Sequence, residues 1–144
     1  MIITKFEKEH LNAVCDIENS SFSHPWHREY FESELIKENS HMFVCIEDNE
    51  VIGFSILNTI LDEGELLHIA VSTNHRRKGV GKALFEKMFS VAKEKELAFV
   101  TLEVREGNNN AIALYEYMGF ERVGVRKNYY SKPTENAVLM TKYF

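Results

Sequence analysis

The sequence predicts an α/β (α+β) domain built on one mixed, mostly antiparallel sheet of six to seven strands flanked by about four helices. Three observations carry that expectation. Apolar residues switch between a period near two and steps of three to four along the chain. In the first half, β-rich runs follow one another across short turn clusters, the pattern of an antiparallel meander. In the second half strands and helices alternate, which implies a βαβ unit and parallel pairing there. A length of 144 residues with 44% hydrophobic and 27% charged content suits one domain over residues 1–144 with a substantial core.

Ile2 to Phe6 reads as the first strand, and Leu11, Val14, Cys15 and Ile17 place a helical stripe on a segment beginning near Glu9. Polar Asn19-Ser20-Ser21 is expected to end that helix, and Phe22 to Trp26 to form a loop. A second helix follows from about His27 to Lys37. Met42 to Ile46 and Val51 to Asn58 flank the turn cluster Glu47-Asp48-Asn49-Glu50, so a hairpin is expected, and after Asp62-Glu63-Gly64 another strand spans Glu65 to Val71. Beyond Gly79, Val80, Leu84, Met88 and Val91 form the buried stripe of a helix whose wet side carries Lys82, Glu86, Lys93 and Glu94. Phe99 to Val104 is a strand, Asn108 an N-cap, Ala111, Leu114, Tyr115 and Met118 a helical stripe, and Gly119 a left-handed C-terminal residue. Phe120 restarts β structure and Ala137 to Lys142 closes the chain as a strand.

Composition narrows function. A net charge of −5 and a pI near 5.7 argue against broad nucleic-acid binding, which depends on clustered Lys and Arg, and suit a basic protein substrate. Cys15 and Cys45 lack metal-ligand spacing, so buried free thiols in a reducing compartment are expected. The amino terminus has too short an apolar run for a signal peptide, and no later stretch is long enough to span a bilayer, so a cytoplasmic location without membrane attachment is the expectation.

Arg76-Arg77-Lys78-Gly79-Val80-Gly81 is a basic, glycine-punctuated turn between a strand and a helix. Unpaired first-turn N–H groups and the positive end of the helix dipole would favour a polyphosphate there. A Walker A loop is excluded, because Arg76 stands where its first glycine belongs and Ala83, not Ser or Thr, follows Gly81-Lys82. A dinucleotide fingerprint needs a third glycine where Leu84 stands. The turn resembles instead the R/Q-x-x-G-x-G/A loop with which the GNAT acetyltransferase superfamily binds the pyrophosphate of acetyl-CoA. The run Asn108 to Phe120 strengthens that resemblance, since it is similar to the GNAT pattern N-x-x-A-x-x-L-Y-x-x-x-G-F at every specified position.

The resemblance covers essentially the whole chain and implies a V-shaped cofactor cleft between the fourth and fifth strands. It implies that Arg77, Lys78, Gly79, Val80, Gly81 and Lys82 hold the pyrophosphate. Backbone N–H groups around Ile69, Ala70 and Val71 would bind the acetyl or pantetheine part, and Asn108 the pantetheine arm. Glu103 is a carboxylate inside an expected internal strand, explained either by an ion pair, with Arg105 as the candidate, or by a site that uses it. The resemblance places it at the cleft as the general base, directly or through water, and makes Tyr115 the acid that protonates the departing thiolate.

Within the superfamily the chain is most similar to the bacterial RimI type, the ribosomal-protein-alanine N-acetyltransferases. Pro25-Trp26, Leu61-Asp62-Glu63, Ile69-Ala70-Val71, Leu102-Glu103-Val104-Arg105 and Arg126 to Tyr130 carry that likeness. The implied substrate is a protein N-terminus, a ribosomal protein's alanine, with a small amine as the alternative, and the enzyme would act as a monomer or weak dimer. Where such enzymes often read Glu-Asp-Ala, this chain has Glu135-Asn136-Ala137, one acidic group fewer for a basic substrate. Trp26, Tyr129 and Tyr130 are candidates to frame the peptide entrance, with Glu34 and Glu65 as weaker ones. His24, His27, His41, His68 and His75 read as solvated loop residues; no metal is expected, because no ligand cluster is evident and acetyl transfer needs none.

Overall fold

In the computed structural model, which describes residues 1–144, seven strands form one sheet in the order β1-β2-β3-β4-β5-β7-β6. The strands are β1 (Ile2–Lys5), β2 (Ser40–Glu47), β3 (Glu50–Ile60), β4 (Glu63–Val71), β5 (Phe99–Arg105), β6 (Glu121–Tyr130) and β7 (Glu135–Tyr143). The helices are α1 (Leu11–Ser21), α2 (Arg28–Leu35), α3 (Val80–Glu94) and α4 (Asn109–Tyr117). Short 3-10 turns at Lys8–His10 and Thr73–His75 lie on either side of this meander.

The β2–β3 hairpin closes on Asp48 and Asn49 alone, with Glu47 opposite Glu50 and both central residues at positive φ (51° and 63°), the two-residue geometry that matches strand twist. The expected turn at Asp62-Glu63-Gly64 is tighter in reality. Leu61 takes the left-handed conformation at φ 54°, β4 begins at Glu63, and Gly64 lies inside the sheet where an added Cβ would come within 3.0 Å of Leu97 and Val100. α1 ends at Ser21, within the expected Asn19-Ser20-Ser21 stop, with the Phe22 N–H bonding back to the Glu18 carbonyl and Phe22 itself extended. The second helix is shorter than expected at both ends.

Helices α3 and α4 cover one face of the sheet. Phe85, Met88, Ile112 and Phe120 meet Leu102, Val104, Val138 and Met140 there. On the other face α1 and α2 bury Leu11, Val14, Ile17 and Phe31 against Phe6, Val44, Phe54 and Ala70. The two faces serve different ends at one break in the sheet. Parallel pairing of β4 with β5 lasts only for Glu63↔Phe99, Gly64↔Val100 and Glu65↔Thr101; from Leu66 onward β4 has no strand on that side. A bulge sits at the same level, since Leu57 pairs with Leu66 and Ile56 with His68, leaving Leu67 extra. Bulges raise local twist and re-aim side chains. Here Leu67 and His68, consecutive in sequence, both pack on the α1/α2 face.

Candidate active site

The gap between the diverging strands is a cleft of about 530 Å³. Its walls come from β4 (Glu65 to Ile69), from β5 (Thr101 to Arg105), from the α1–α2 loop and from β6, with Asn108 and Tyr115 at the far side. Of the residues singled out from sequence, Ile69, Glu103, Asn108 and Tyr115 line this space together. Ala70 and Val71 lie beyond its lining, as does the 77–82 turn. Ala70 is buried in the α1/α2 core. The Val71 carbonyl accepts a hydrogen bond from Arg76 Nε at 3.2 Å, which ties the end of β4 to the basic turn.

β5 alternates as its sequence requires, with Leu102 and Val104 buried and Glu103 turned into the cleft. The Glu103 side chain is 31% exposed, and its carboxylate pairs with Arg126 at 3.3 Å rather than with Arg105. The expected Arg105 partner is therefore corrected. Residues 103 and 105 share a strand face, but Arg105 reaches Glu135 at 3.1 Å and the Pro133 and Ser131 carbonyls, and its guanidinium sits 4.4 Å from the Tyr130 ring. It braces the β6–β7 turn. Glu103's negative charge pushes the Tyr129 phenol above its ordinary pKa, and burial, followed by the same carboxylate, does so for Tyr130. Both rings line the cleft, as do Trp26 and Glu65.

On the opposite side Tyr115 packs edge-on to Phe85 at 5.6 Å, and burial pushes its pKa up to about 12. Asn108 caps α4 through its Oδ1, which accepts the Ala111 N–H at 3.2 Å. Gly79, at φ 82°, is the left-handed N-cap of α3, with nothing within 4 Å of a would-be Cβ. Arg77 also takes positive φ, 62°. Gly81 has another reason to be small: a Cβ there would meet Leu114 of α4 at 3.0 Å. Lys82 extends toward Glu86, 3.9 Å away, and Tyr117.

Two sequence expectations about other side chains change. His41 and His68 are strand residues, not solvated loop residues: His41 lies in β2 with its Nε2 3.1 Å from Thr59 Oγ1 of β3, and the β4 bulge turns His68 toward α1. His68 is stacked on Trp26 (4.8 Å, 12°), and its Nε2 lies 2.6 Å from Oε1 of Glu18, a carboxylate buried in α1. That pair is not visible in sequence, since 50 residues separate its members. Glu34 lies outside the cleft, in a network with Lys37, Ser40 and Asn58. Burial opposes its ionisation, but Lys37 and the hydrogen bonds from Asn58 and Ser40 outweigh that and lower its pKa. Asn136 is a link: its Oδ1 accepts the Asn128 N–H at 2.9 Å and its amide donates to Glu106 at 3.3 Å, a donation an aspartate could not make.

Both cysteines are free, Cys45 buried and Cys15 half-buried, and burial pushes both thiols up in pKa. No three His, Cys, Asp or Glu side chains stand close enough to hold a metal ion, and no helix is long and apolar enough to cross a membrane.

Comparison with known proteins gives this geometry a context. The acetyltransferase (GNAT) family profile matches residues 11–120. The ribosomal protein bS18-alanine N-acetyltransferase of Haemophilus influenzae is 38% identical, with 99% of this chain and 98% of that protein aligned. The enzyme of the same name from Escherichia coli K12 is 35% identical over 96% and 94%. The crystal structure of the ribosomal-protein-S18-alanine N-acetyltransferase from Escherichia coli superposes with a TM-score of 0.92 at 33% identity, covering 99% of this chain and 92% of that one.

Proposed function

This chain belongs to the acetyltransferase (GNAT) family, acetyl-CoA-dependent N-acyltransferases, and from that premise we propose that it acetylates the N-terminal α-amine of a protein, the alanine of a small-subunit ribosomal protein. The observation that carries this reading is the convergence of Ile69 from β4, Glu103 from β5, and Asn108 and Tyr115 from the two ends of α4, on one cleft opened by the parting of β4 and β5. The likeness to bS18-alanine enzymes over nearly the whole chain supports the choice of substrate.

Acetyl-CoA would lie along the gap, with its pyrophosphate at the N-terminus of α3 against backbone from Arg77 to Lys82. Its pantetheine amides would meet the unpartnered edge of β4 around Ile69 to Val71 and the side chain of Asn108. The same β4 N–H groups would polarise the thioester carbonyl.

The amine enters on the α1/α2 face, where Trp26, Glu65, Tyr129 and Tyr130 line the opening. An α-ammonium has an ordinary pKa near ~8 against ~10.4 for lysine, so freeing it at neutral pH costs about 3 kcal/mol less. Glu103 takes that proton, directly or through water; the neutral nitrogen then attacks the thioester carbon, and the C–S bond breaks as the tetrahedral adduct collapses. A phenol with a pKa near 12 stays protonated throughout the working range. Tyr115 therefore meets the departing thiolate as a hydrogen-bond donor and hands its proton over as the sulfur leaves.

Mass spectrometry of peptide libraries incubated with the enzyme and acetyl-CoA tests the substrate. Alanine-started peptides should carry +42 Da at the N-terminus and outcompete lysine side chains. Turnover of polyamines or aminoglycosides with no acetylated peptide would overturn the assignment.

A further inference from the structure

We propose that His68, oriented by the buried Glu18 carboxylate, is a second proton acceptor for the attacking nitrogen. This inference rests on the acetyl-transfer reading above. Making an amide from an ammonium strips two protons from nitrogen, whereas the CoA thiol takes up only one. Glu103 accounts for the first, and it is already shared with Arg126. His68 lies on the same face of the sheet and lines the same cleft.

Its geometry suits a base more than a packing residue. Both Glu18 oxygens are engaged, Oε1 with His68 Nε2 at 2.6 Å and Oε2 with the Trp26 N–H at 2.9 Å, while the Glu18 side chain is only 1% exposed. An ionised carboxylate only accepts, so it holds the hydrogen on Nε2 and leaves the Nδ1 lone pair free. Nδ1 has no protein partner and is not sealed from solvent. The ring cannot swing away: Trp26 stacks on it, Phe22 lies against it at 4.8 Å and Phe54 meets its edge at 5.7 Å.

The protons then balance. The first leaves the ammonium for Glu103, and the N–C bond forms. The second leaves the N–H⁺ of the tetrahedral adduct for His68 Nδ1, the C–S bond breaks, and Tyr115 protonates the thiolate. One of the two collected protons returns through water to Tyr115 and the other escapes to solvent. The titratable and charged groups facing His68 are Glu18 from α1, His24 from the α1–α2 loop, Glu65 on its own strand, Glu103 and Arg105 from β5, Tyr115 from α4, and Tyr129 and Tyr130 from β6.

Steady-state kinetics on an alanine-started peptide between pH 6 and 9 provide the test, using His68→Asn, His68→Ala and Glu18→Gln. His68→Asn should lower kcat by about tenfold or more while the KM for acetyl-CoA stays within about twofold. Added imidazole should restore part of the loss in His68→Ala, a recovery that a packing role cannot explain. In Glu18→Gln the amide would donate to Nε2 and force the hydrogen onto Nδ1, so kcat should fall although the ring stays in place. Wild-type kcat in His68→Asn across this range, in an enzyme that Glu103→Gln disables, would overturn the inference alone. A wild-type protein that acetylates no amino-terminal peptide would instead overturn the functional reading on which it rests.

Discussion

The two walls of the cleft are built by opposite means. On the α3/α4 side the features that suit a cofactor come from two contiguous segments, the 76–81 turn and the run from Asn108 to Phe120, and much of what they offer is backbone. Gly79 frees a left-handed helix entrance, Asn108 caps the next helix, and Gly81 lets the two helices touch. On the α1/α2 side the wall is a mosaic of side chains: Glu18, Trp26, His68, Glu103, Arg126 and Tyr129, from five parts of the chain. On the function proposed above, the difference follows from what each side would bind. A constant ligand can be held by main-chain groups whose geometry a short motif determines, whereas a variable peptide end needs side chains whose identity can change without disturbing the fold.

Substitutions on the two walls should therefore fail differently. The largest effect is expected at the reacting groups: Glu103→Gln and Tyr115→Phe should each lower kcat by about 10²-fold or more with acetyl-CoA affinity retained by calorimetry. Equal loss of cofactor affinity in both would break the division between walls. A smaller effect is expected at the turn. Gly79→Val forces a β-branched residue to φ 82°, so KM for acetyl-CoA should rise about tenfold while KM for the peptide holds. A rise in peptide KM alone would place the turn on the wrong side.

The control lies outside both walls. Glu34→Gln should leave turnover intact and cost about 1–3 kcal/mol in denaturant unfolding, because it loosens a buried hydrogen-bonded charge. Since folding lowers the Glu34 pKa, its contribution is present above the ordinary glutamate value near ~4.3 and is lost as pH falls through the lower folded one. The variant should lose that part of the acid slope. An unchanged slope would mean that the network does not hold the charge.

The contrast between the walls also explains what could be read in advance. The hairpin, the α3 and α4 stripes, the Asn108 cap and the left-handed Gly119 rest on interactions within a few residues, and all were legible. So was the outward turn of Glu103 relative to Leu102 and Val104, because strand alternation is local. Its ion-pair partner was not. Arg105 is near in sequence, but β7 lies between β5 and β6, and the turn that follows β6 captures Arg105 through Glu135, leaving Arg126 for Glu103. The side-chain environment of His68 was hidden for a similar reason: a bulge shifts side-chain parity by one residue, and parity is what a strand reading relies on.

By itself the sequence determined the family, the mixed sheet, the glycine turn that opens α3 and the strand face that carries Glu103, because each is encoded in local periodicity or a contiguous motif. Only the tertiary structure decided where β4 leaves β5, which charges pair across the cleft, and that a buried glutamate on α1 holds a histidine from β4. Those outcomes depend on strand order and register, which arise when distant segments compete for the same neighbours as the sheet closes.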